Sequence, residues 1–388
     1  MKSSLKGIAV LSVVVLALVV LASGCGQKKS GAAGNSPVKV GVIYSVSGAS
    51  TSVGVEEKRS ADLAAAEINA AGGIGGHPVS LLYENDDSNS EKAVAAAKKL
   101  AYNDQVDVII GPITSSGIAA VKGVTESAKV PELSITGSSP NLTANNPQWY
   151  FRNALSSAFQ TKKMVKYCMD NLGYKKFAIL YDAARATDQY QGFAKDLADA
   201  GIKPVAVEKF QTGDTSFNAQ LLKIKAAQPD AMLVLGMITE SASAAKQARD
   251  LGIQSRILGA VALAYDDYIK LAGNASDGTI ACTTFLSSNP NPKTQEFVKK
   301  YQEKYNELPD HSAAQTYDAM NLIAQAAANG KLSFADTAAD RQKIRDELIK
   351  VNSYQGVASP ITYGPNVRDA YTNPMLVEVK NGKWEIIE

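Results

Sequence analysis

Two short runs of hydroxyl residues carry most of the chemistry in this chain. In Ile109-Ile110-Gly111-Pro112-Ile113-Thr114-Ser115-Ser116-Gly117 an apolar stretch ends, glycine and proline turn the chain, and three hydroxyls open a helix. A helix start leaves backbone N–H groups unpaired and carries the positive end of the dipole, so it attracts an anion, and serine hydroxyls add donors. One strand later, Leu133-Ser134-Ile135-Thr136-Gly137-Ser138-Ser139-Pro140 places a second hydroxyl cluster at a strand's C-terminal end. Ligands of open α/β sheets bind outside those carboxyl ends. Ser115, Ser116, Thr136, Gly137 and Ser138 are therefore the candidate site, and its chemistry is the neutral capture of a carboxylate. Hydrogen bonds to a charged group contribute about 1.5–3 kcal/mol each, and micromolar binding is about −8 kcal/mol. Three or four such bonds suffice, with no metal and no cofactor. A plain Ser/Thr cap is the competing reading of the first cluster.

Other chemistries fail on their motifs. Gly72-Gly73-Ile74-Gly75-Gly76 closes a helix and leads into a strand, the reverse of a dinucleotide loop, so it reads as a C-cap. GxxxxGK[ST] and GxSxG are absent, which removes the phosphate loop and the nucleophile elbow. With two histidines, His77 before Pro78 and His311 after Pro309-Asp310, both read as loop residues, histidine-based catalysis has few candidates. Glu84-Asn85-Asp86-Asp87 reads as a solvated cap before a helix and not as a metal site. Of three cysteines, Cys168 and Cys282 lie outside any CxxC spacing and read as separate buried thiols. An enzyme is not expected.

The elements that must position these residues alternate regularly. Strand signals fall at 38–44, 79–83, 106–110, 132–135, 177–181, 204–210, 231–235, 256–258 and 278–284, with Ala- and Lys-rich helical stretches between most of them. The first helical pattern runs from about 53 to 71. Such alternation implies an α/β protein with parallel sheets covered on both faces. The tail reads as two strands joined at Asn381-Gly382, a hairpin turn. Breaks at 149–153, 286–292 and 359–365 suggest that the chain crosses between two lobes three times.

The first 25 residues address the chain. Lys2 and Lys6 precede an apolar run from Ile8 to Leu21 that stops at Ala22-Ser23-Gly24-Cys25. A basic start, an apolar run of about 14 residues and small residues at the end define a secretory signal, 1–24, too short to span a bilayer, which takes about 20. The cysteine after small residues resembles the lipobox of bacterial lipoproteins, which implies lipidation at Cys25 and a place on the outer face of the cell membrane. Residues 25–36, rich in Gly, Ser, Lys and Asn, read as a tether. Without the two signal lysines the formal charge falls from +2 to about 0, so no nucleic acid partner is expected. Without the signal, 364 of the 388 residues remain, more than one core usually serves.

Several stretches together resemble the solute-binding proteins of ABC importers, in particular the type I periplasmic binding fold of the leucine/isoleucine/valine-binding group. They are Ala65-Ala66-Glu67-Ile68-Asn69-Ala70-Ala71-Gly72-Gly73-Ile74, the turn at 111–116, Gly213-Asp214-Thr215-Ser216-Phe217, Lys225-Ala226-Ala227-Gln228-Pro229-Asp230, Gln247-Ala248-Arg249-Asp250-Leu251-Gly252 and Tyr317-Asp318-Ala319. The resemblance implies two Rossmann-like lobes, 37–154 with 287–362 and 155–286 with 363–388, that close on a ligand by hinge motion. It implies a monomer that delivers a small amino acid, or else a non-amino carboxylate or small amide, to the transmembrane subunits of an ABC permease. Ser115 and Ser138 match the family's carboxylate-holding positions, with Thr136 contributing through its backbone. Gln189 or Tyr190, and Tyr265, are expected in the covering lobe. Two departures stand out: Val261 occupies the region where the group places an acid for the ammonium, and Val53 stands where it places an aromatic. Either Asp182, Asp266 or another carboxylate replaces that acid, or the ligand has no ammonium, because an unpaired buried ammonium is costly.

Overall fold

A computed structural model describes residues 36–388, of which Pro37–Glu388 form one compact unit. The signal, the tether and Cys25 lie outside the described residues. Apolar, β-branched runs form the strands, and helices return between them. β1 (Val38–Tyr44), α1 (Thr51–Ala70), β2 (Val79–Asn85), α2 (Ser90–Lys98), β3 (Val108–Ile110), α3 (Ser115–Ala128), β4 (Glu132–Ser134) and β5 (Tyr150–Leu155) build the first lobe. The chain then crosses to α4 (Ser157–Asp170), β6 (Phe177–Asp182), α5 (Thr187–Asp199), β7 (Ala206–Phe210), α6 (Asn218–Ala227), β8 (Ala231–Leu235), α7 (Ile238–Asp250), β9 (Arg256–Gly259), α8 (Asp266–Ala272) and β10 (Ile280–Thr283). It returns as α9 (Pro292–Tyr305), α10 (His311–Gly330), α11 (Thr337–Ile349), a short pair β11 (Tyr354–Gln355) and β12 (Pro360–Ile361), and β13 (Asp369–Tyr371). The hairpin β14 (Met375–Lys380) and β15 (Lys383–Ile386) ends the chain.

The first sheet has the order β13-β5-β4-β3-β1-β2 and is parallel throughout. The second runs β15-β14-β10-β9-β8-β6-β7, parallel except for the terminal hairpin, which joins β10 antiparallel. The α/β class and the two-lobed parallel architecture follow. One expected boundary moves. β13 belongs to the first sheet, so the third crossing falls between Tyr371 and Met375 and not at 362/363. The segment 149–153, expected as a break, is mostly strand: β5 is buried along its whole length and pairs with β4.

Local signals explain most ends. α1 stops where Gly73 N–H bonds Ile68 O at 2.9 Å with Gly73 at φ +73°, so the glycine run is a cap. The Asn69 side chain then brackets Val79, accepting from its N–H at 2.7 Å and donating to its carbonyl at 3.0 Å, which docks the helix end on β2. Asn381 and Gly382 both take positive φ, as the hairpin requires. Asp86 is not solvated as expected: it is buried and accepts from Ser45 Oγ at 2.5 Å, and Asn89 caps α2 instead. Cys168 and Cys282 are buried free thiols.

Candidate functional site

The two hydroxyl clusters meet because β3 and β4 are neighbours and end at the same edge. After β3, Gly111 turns at φ +89°; a Cβ there would lie 2.2 Å from Ile43 O, so only glycine fits. Thr114 caps α3, its Oγ1 accepting from Gly117 N–H at 3.1 Å and its carbonyl from Ile118 N–H at 2.9 Å. The amides of Ser115 and Ser116 are left without intrahelical acceptors. After β4, Thr136 Oγ1 donates to Ile113 O at 2.5 Å, which ties the two loops together, and Ser139 N–H reaches Ser115 Oγ at 3.5 Å.

A buried arginine sets the second loop. Arg152 in β5 is fully buried, and its guanidinium donates to Gly137 O (3.1 Å), Ser139 O (2.6 Å) and Thr143 Oγ1 (2.9 Å), while Nε meets Asp369 Oδ1 at 2.5 Å. Two of the four bonds, to Gly137 O and Ser139 O, fix residues 137–139 from behind, and the other two anchor the planar fork on Thr143 and Asp369.

These loops face the second lobe across a cavity of about 230 Å³. Ser115, Thr136, Gly137 and Ser138 line it from the first lobe, and Gln189 and Tyr265 from the second. The lobes touch around it. Gln189 Nε2 donates to Ser138 Oγ at 2.8 Å, Ser139 Oγ donates to Asp188 at 2.8 Å, and Tyr265 OH lies 3.2 Å from Ser312 Oγ. The Tyr265 and His311 rings pack at 4.5 Å.

Two expected residues stand elsewhere. Ser116 is one position further round α3, exposed, with its Oγ 3.3 Å from Thr114 Oγ1, so it does not line the cavity. Tyr190 turns away from Gln189 on α5 and stacks on Tyr181 at 4.4 Å. Val53 and Val261 both line the cavity. Neither expected substitute acid does. Asp182 is buried and spent on Ala184 N–H (2.8 Å), Arg185 N–H (3.3 Å) and Thr212 Oγ1 (2.6 Å), and Asp266 is exposed beside a neighbouring cavity.

Sequence reasoning missed Arg152, Gln315, Met237, Ile238 and His311. Met237 and Ile238 follow β8 directly, so the strand-end rule applied to the second lobe would have found them. His311 is the first residue of α10, capped by Asp310, and not a loop residue. Burial lowers its imidazole to about 4 and raises the Tyr265 phenol, so both are neutral near pH 7. Among the described residues no group of His, Cys, Asp and Glu could hold a metal ion. No described helix is long and apolar enough to cross a membrane.

Comparison with known proteins agrees with this fold. The sequence profile of the periplasmic binding protein family matches residues 37–383. The Leu/Ile/Val-binding protein homolog 3 of Brucella melitensis is 27% identical over 275 residues, 69% of this chain and 72% of that protein. The Leu/Ile/Val-binding protein of Escherichia coli K12 is 25% identical over 332 residues, 84% of this chain and 86% of its own. The crystal structure of the branched-chain amino acid transporter substrate-binding protein LivJ from Streptococcus pneumoniae, in complex with isoleucine, superposes with a TM-score of 0.81. It is 28% identical and covers 90% of this chain and 99% of its own. With two parallel-sheet lobes around a lined cleft and a family match over nearly the whole described body, the chain belongs to the periplasmic binding protein family, as a type I solute-binding protein of the Leu/Ile/Val group and not an enzyme.

Proposed function

We propose that the protein is the extracytoplasmic solute-binding component of an ABC importer and holds a small carboxylate-bearing solute between its lobes. The observation that supports this reading most is the cavity wall at the N-terminus of α3, where Ser115 and Ser138 face the second lobe's Gln189. About 230 Å³ is below the roughly 300 Å³ at which drug-sized pockets begin, so the occupant is a small solute, of the amino-acid size of the relatives' ligands or a near analogue. The carboxylate lies at the dipole end, Ser115 and Ser138 donate to it, and Gln189 and Tyr265 cover it. Closure of the lobes presents one composite surface to the permease, and lipid on Cys25 would keep the monomer at the membrane. Ser115→Ala combined with Ser138→Ala should abolish binding in calorimetry while circular dichroism stays unchanged. Affinity within threefold of the parent would remove the carboxylate clamp. A sensory role, reporting occupancy to a membrane receptor, is the second reading; no structural observation favours it.

A further inference from the structure

The cavity has a chemical bias that its relatives' names do not suggest. None of its lining side chains is an Asp, Glu, Lys or Arg. The two titratable groups on the wall are neutral near pH 7: Tyr265 as any phenol is, and His311 because burial lowers its imidazole to about 4.

Yet the cleft is not electrostatically bland. Four helices of 13 to 20 residues start at its wall: Ser115 is the first residue of α3, Ile238 the first of α7, His311 the first of α10, and Gln189 the third of α5. For α3, α5 and α7 this follows from the fold, since helices after parallel strands begin at the strands' carboxyl ends; α10 follows α9. Each contributes about half a positive charge at its start. α5 and α7 have no side-chain cap, so their first amides are not offset by a side-chain acceptor. Behind the 137–139 loop lies the Arg152 guanidinium, partly balanced by Asp369.

Most surrounding carboxylates are engaged elsewhere. The exception is Glu57 in α1, buried with neither oxygen hydrogen-bonded, whose carboxyl is pushed well up, toward the neutral form, by burial and the nearby Asp86. Glu240 in the first turn of α7 accepts from Gly213 N–H at 3.1 Å. Asp182 is spent on its own loop, as described. Asp310 accepts from Ala313 N–H at 2.9 Å as the α10 cap. Glu56 pairs with Arg59 at 3.2 Å and with Tyr301 OH. Asp188 is exposed and held by Ser139. A cation in the cavity would therefore meet four positive dipole ends and no carboxylate, whereas an anion would meet donors.

The remainder of the wall is aliphatic: Val53, Ile113, Leu155, Met237, Ile238 and Val261. One polar atom there lacks a partner. His311 is 5% exposed, and its Nδ1 makes no hydrogen bond. With the proton on Nδ1 the neutral imidazole donates to an uncharged oxygen, while the surrounding dipole ends disfavour an ammonium.

We infer that the cleft takes an aliphatic monocarboxylate with no ammonium group, of four to six carbons, whose 2-position bears hydrogen or an uncharged oxygen. This rests on the solute-binding reading above and narrows it: the carboxylate occupies the α3 end, the hydrocarbon lies along the aliphatic wall, and an oxygen at carbon 2 pairs with His311.

The test is calorimetry of the purified protein with three probes of one carbon skeleton: 4-methyl-2-oxopentanoate, 4-methylpentanoate and leucine. The oxo acid should bind at least tenfold more tightly than leucine. Val261→Glu, which puts a carboxylate on the wall, should move the ratio at least tenfold toward leucine, with circular dichroism confirming the fold. Leucine binding as tightly as the oxo acid, or tighter, overturns the inference and leaves the solute-binding reading standing. So does a set of amino acids that bind when neither acid does. If no probe, no other amino acid and no short-chain acid binds, both readings fall together.

Discussion

Arg152 offers the sharpest test of how the site is held. Replacing it with leucine removes four hydrogen bonds and leaves Asp369, whose side chain is 18% exposed, and the carbonyls of Gly137 and Ser139 without their cation. Removing one partner of a buried pair costs about 3–5 kcal/mol. The partial exposure of Asp369 puts the expected loss near the lower figure, about 3 kcal/mol. Asp369→Leu alone should cost less, because the guanidinium keeps three of its acceptors. The double variant should recover about 1–2 kcal/mol relative to the sum of the singles, since neither charge is then stranded. Urea unfolding followed by tryptophan fluorescence measures all three. Because Arg152 acts on the loop and not on the ligand, the single variant should also weaken ligand binding, while Asp369→Leu should leave it closer to the parent. Strict additivity, or a loss under 1 kcal/mol for Arg152→Leu, would refute the idea that this guanidinium is the brace of the 137–139 loop.

Two further expectations concern stability. Glu132 is fully buried with Oε1 unpartnered, and burial raises its carboxyl from the ordinary 4.5 to about 8. A folded-state pKa above the unfolded one means stability is complete below pH 4.5 and is lost as pH rises toward 8. Asp310 and Asp318, both pushed up to about 7 by burial, act in the same direction. Melting temperatures of the parent should therefore fall between about pH 5 and 8, and Glu132→Gln should flatten part of that slope; an unchanged slope would show that Glu132 is not protonated in the folded chain. Gly123 is an exposed interior residue of α3 whose Cβ would meet nothing within 4 Å. Gly123→Ala should stabilise by about 0.5–1 kcal/mol, and a destabilised melt would mean that α3 is not packed as described.

The hydroxyl clusters were legible because each is written in one continuous stretch: apolar strand, turn, then helix start. Nothing in such a stretch distinguishes Ser115 from Ser116. One residue is about 100° of helix, and that rotation separates a cavity wall from solvent. Arg152 was invisible for the opposite reason. It follows a turn-rich segment, so it reads as a boundary, and the partner that makes its burial affordable, Asp369, lies 217 residues later in β13. β13 has three residues and an irregular register with β5, too little pattern to assign to a sheet from sequence, and the third crossing was misplaced accordingly. His311 shows a local signal passed over: Asp310 after Pro309 is a helix N-cap as readily as a loop. The neutrality of the cleft depends on what each neighbouring acid is bonded to or, for Glu57, on how deeply it is buried, which is a property of the assembled lobes.

The late position of the third crossing has a practical side. β1 opens the described body in the first sheet and β15 closes it in the second, so the two termini of that body belong to different lobes. A donor fluorophore before Val38 and an acceptor after Glu388 would report the angle between the lobes, with no label in the cleft. If the lobes close on the solute as proposed, the same arrangement would make the polypeptide a built-in optical gauge of solute concentration.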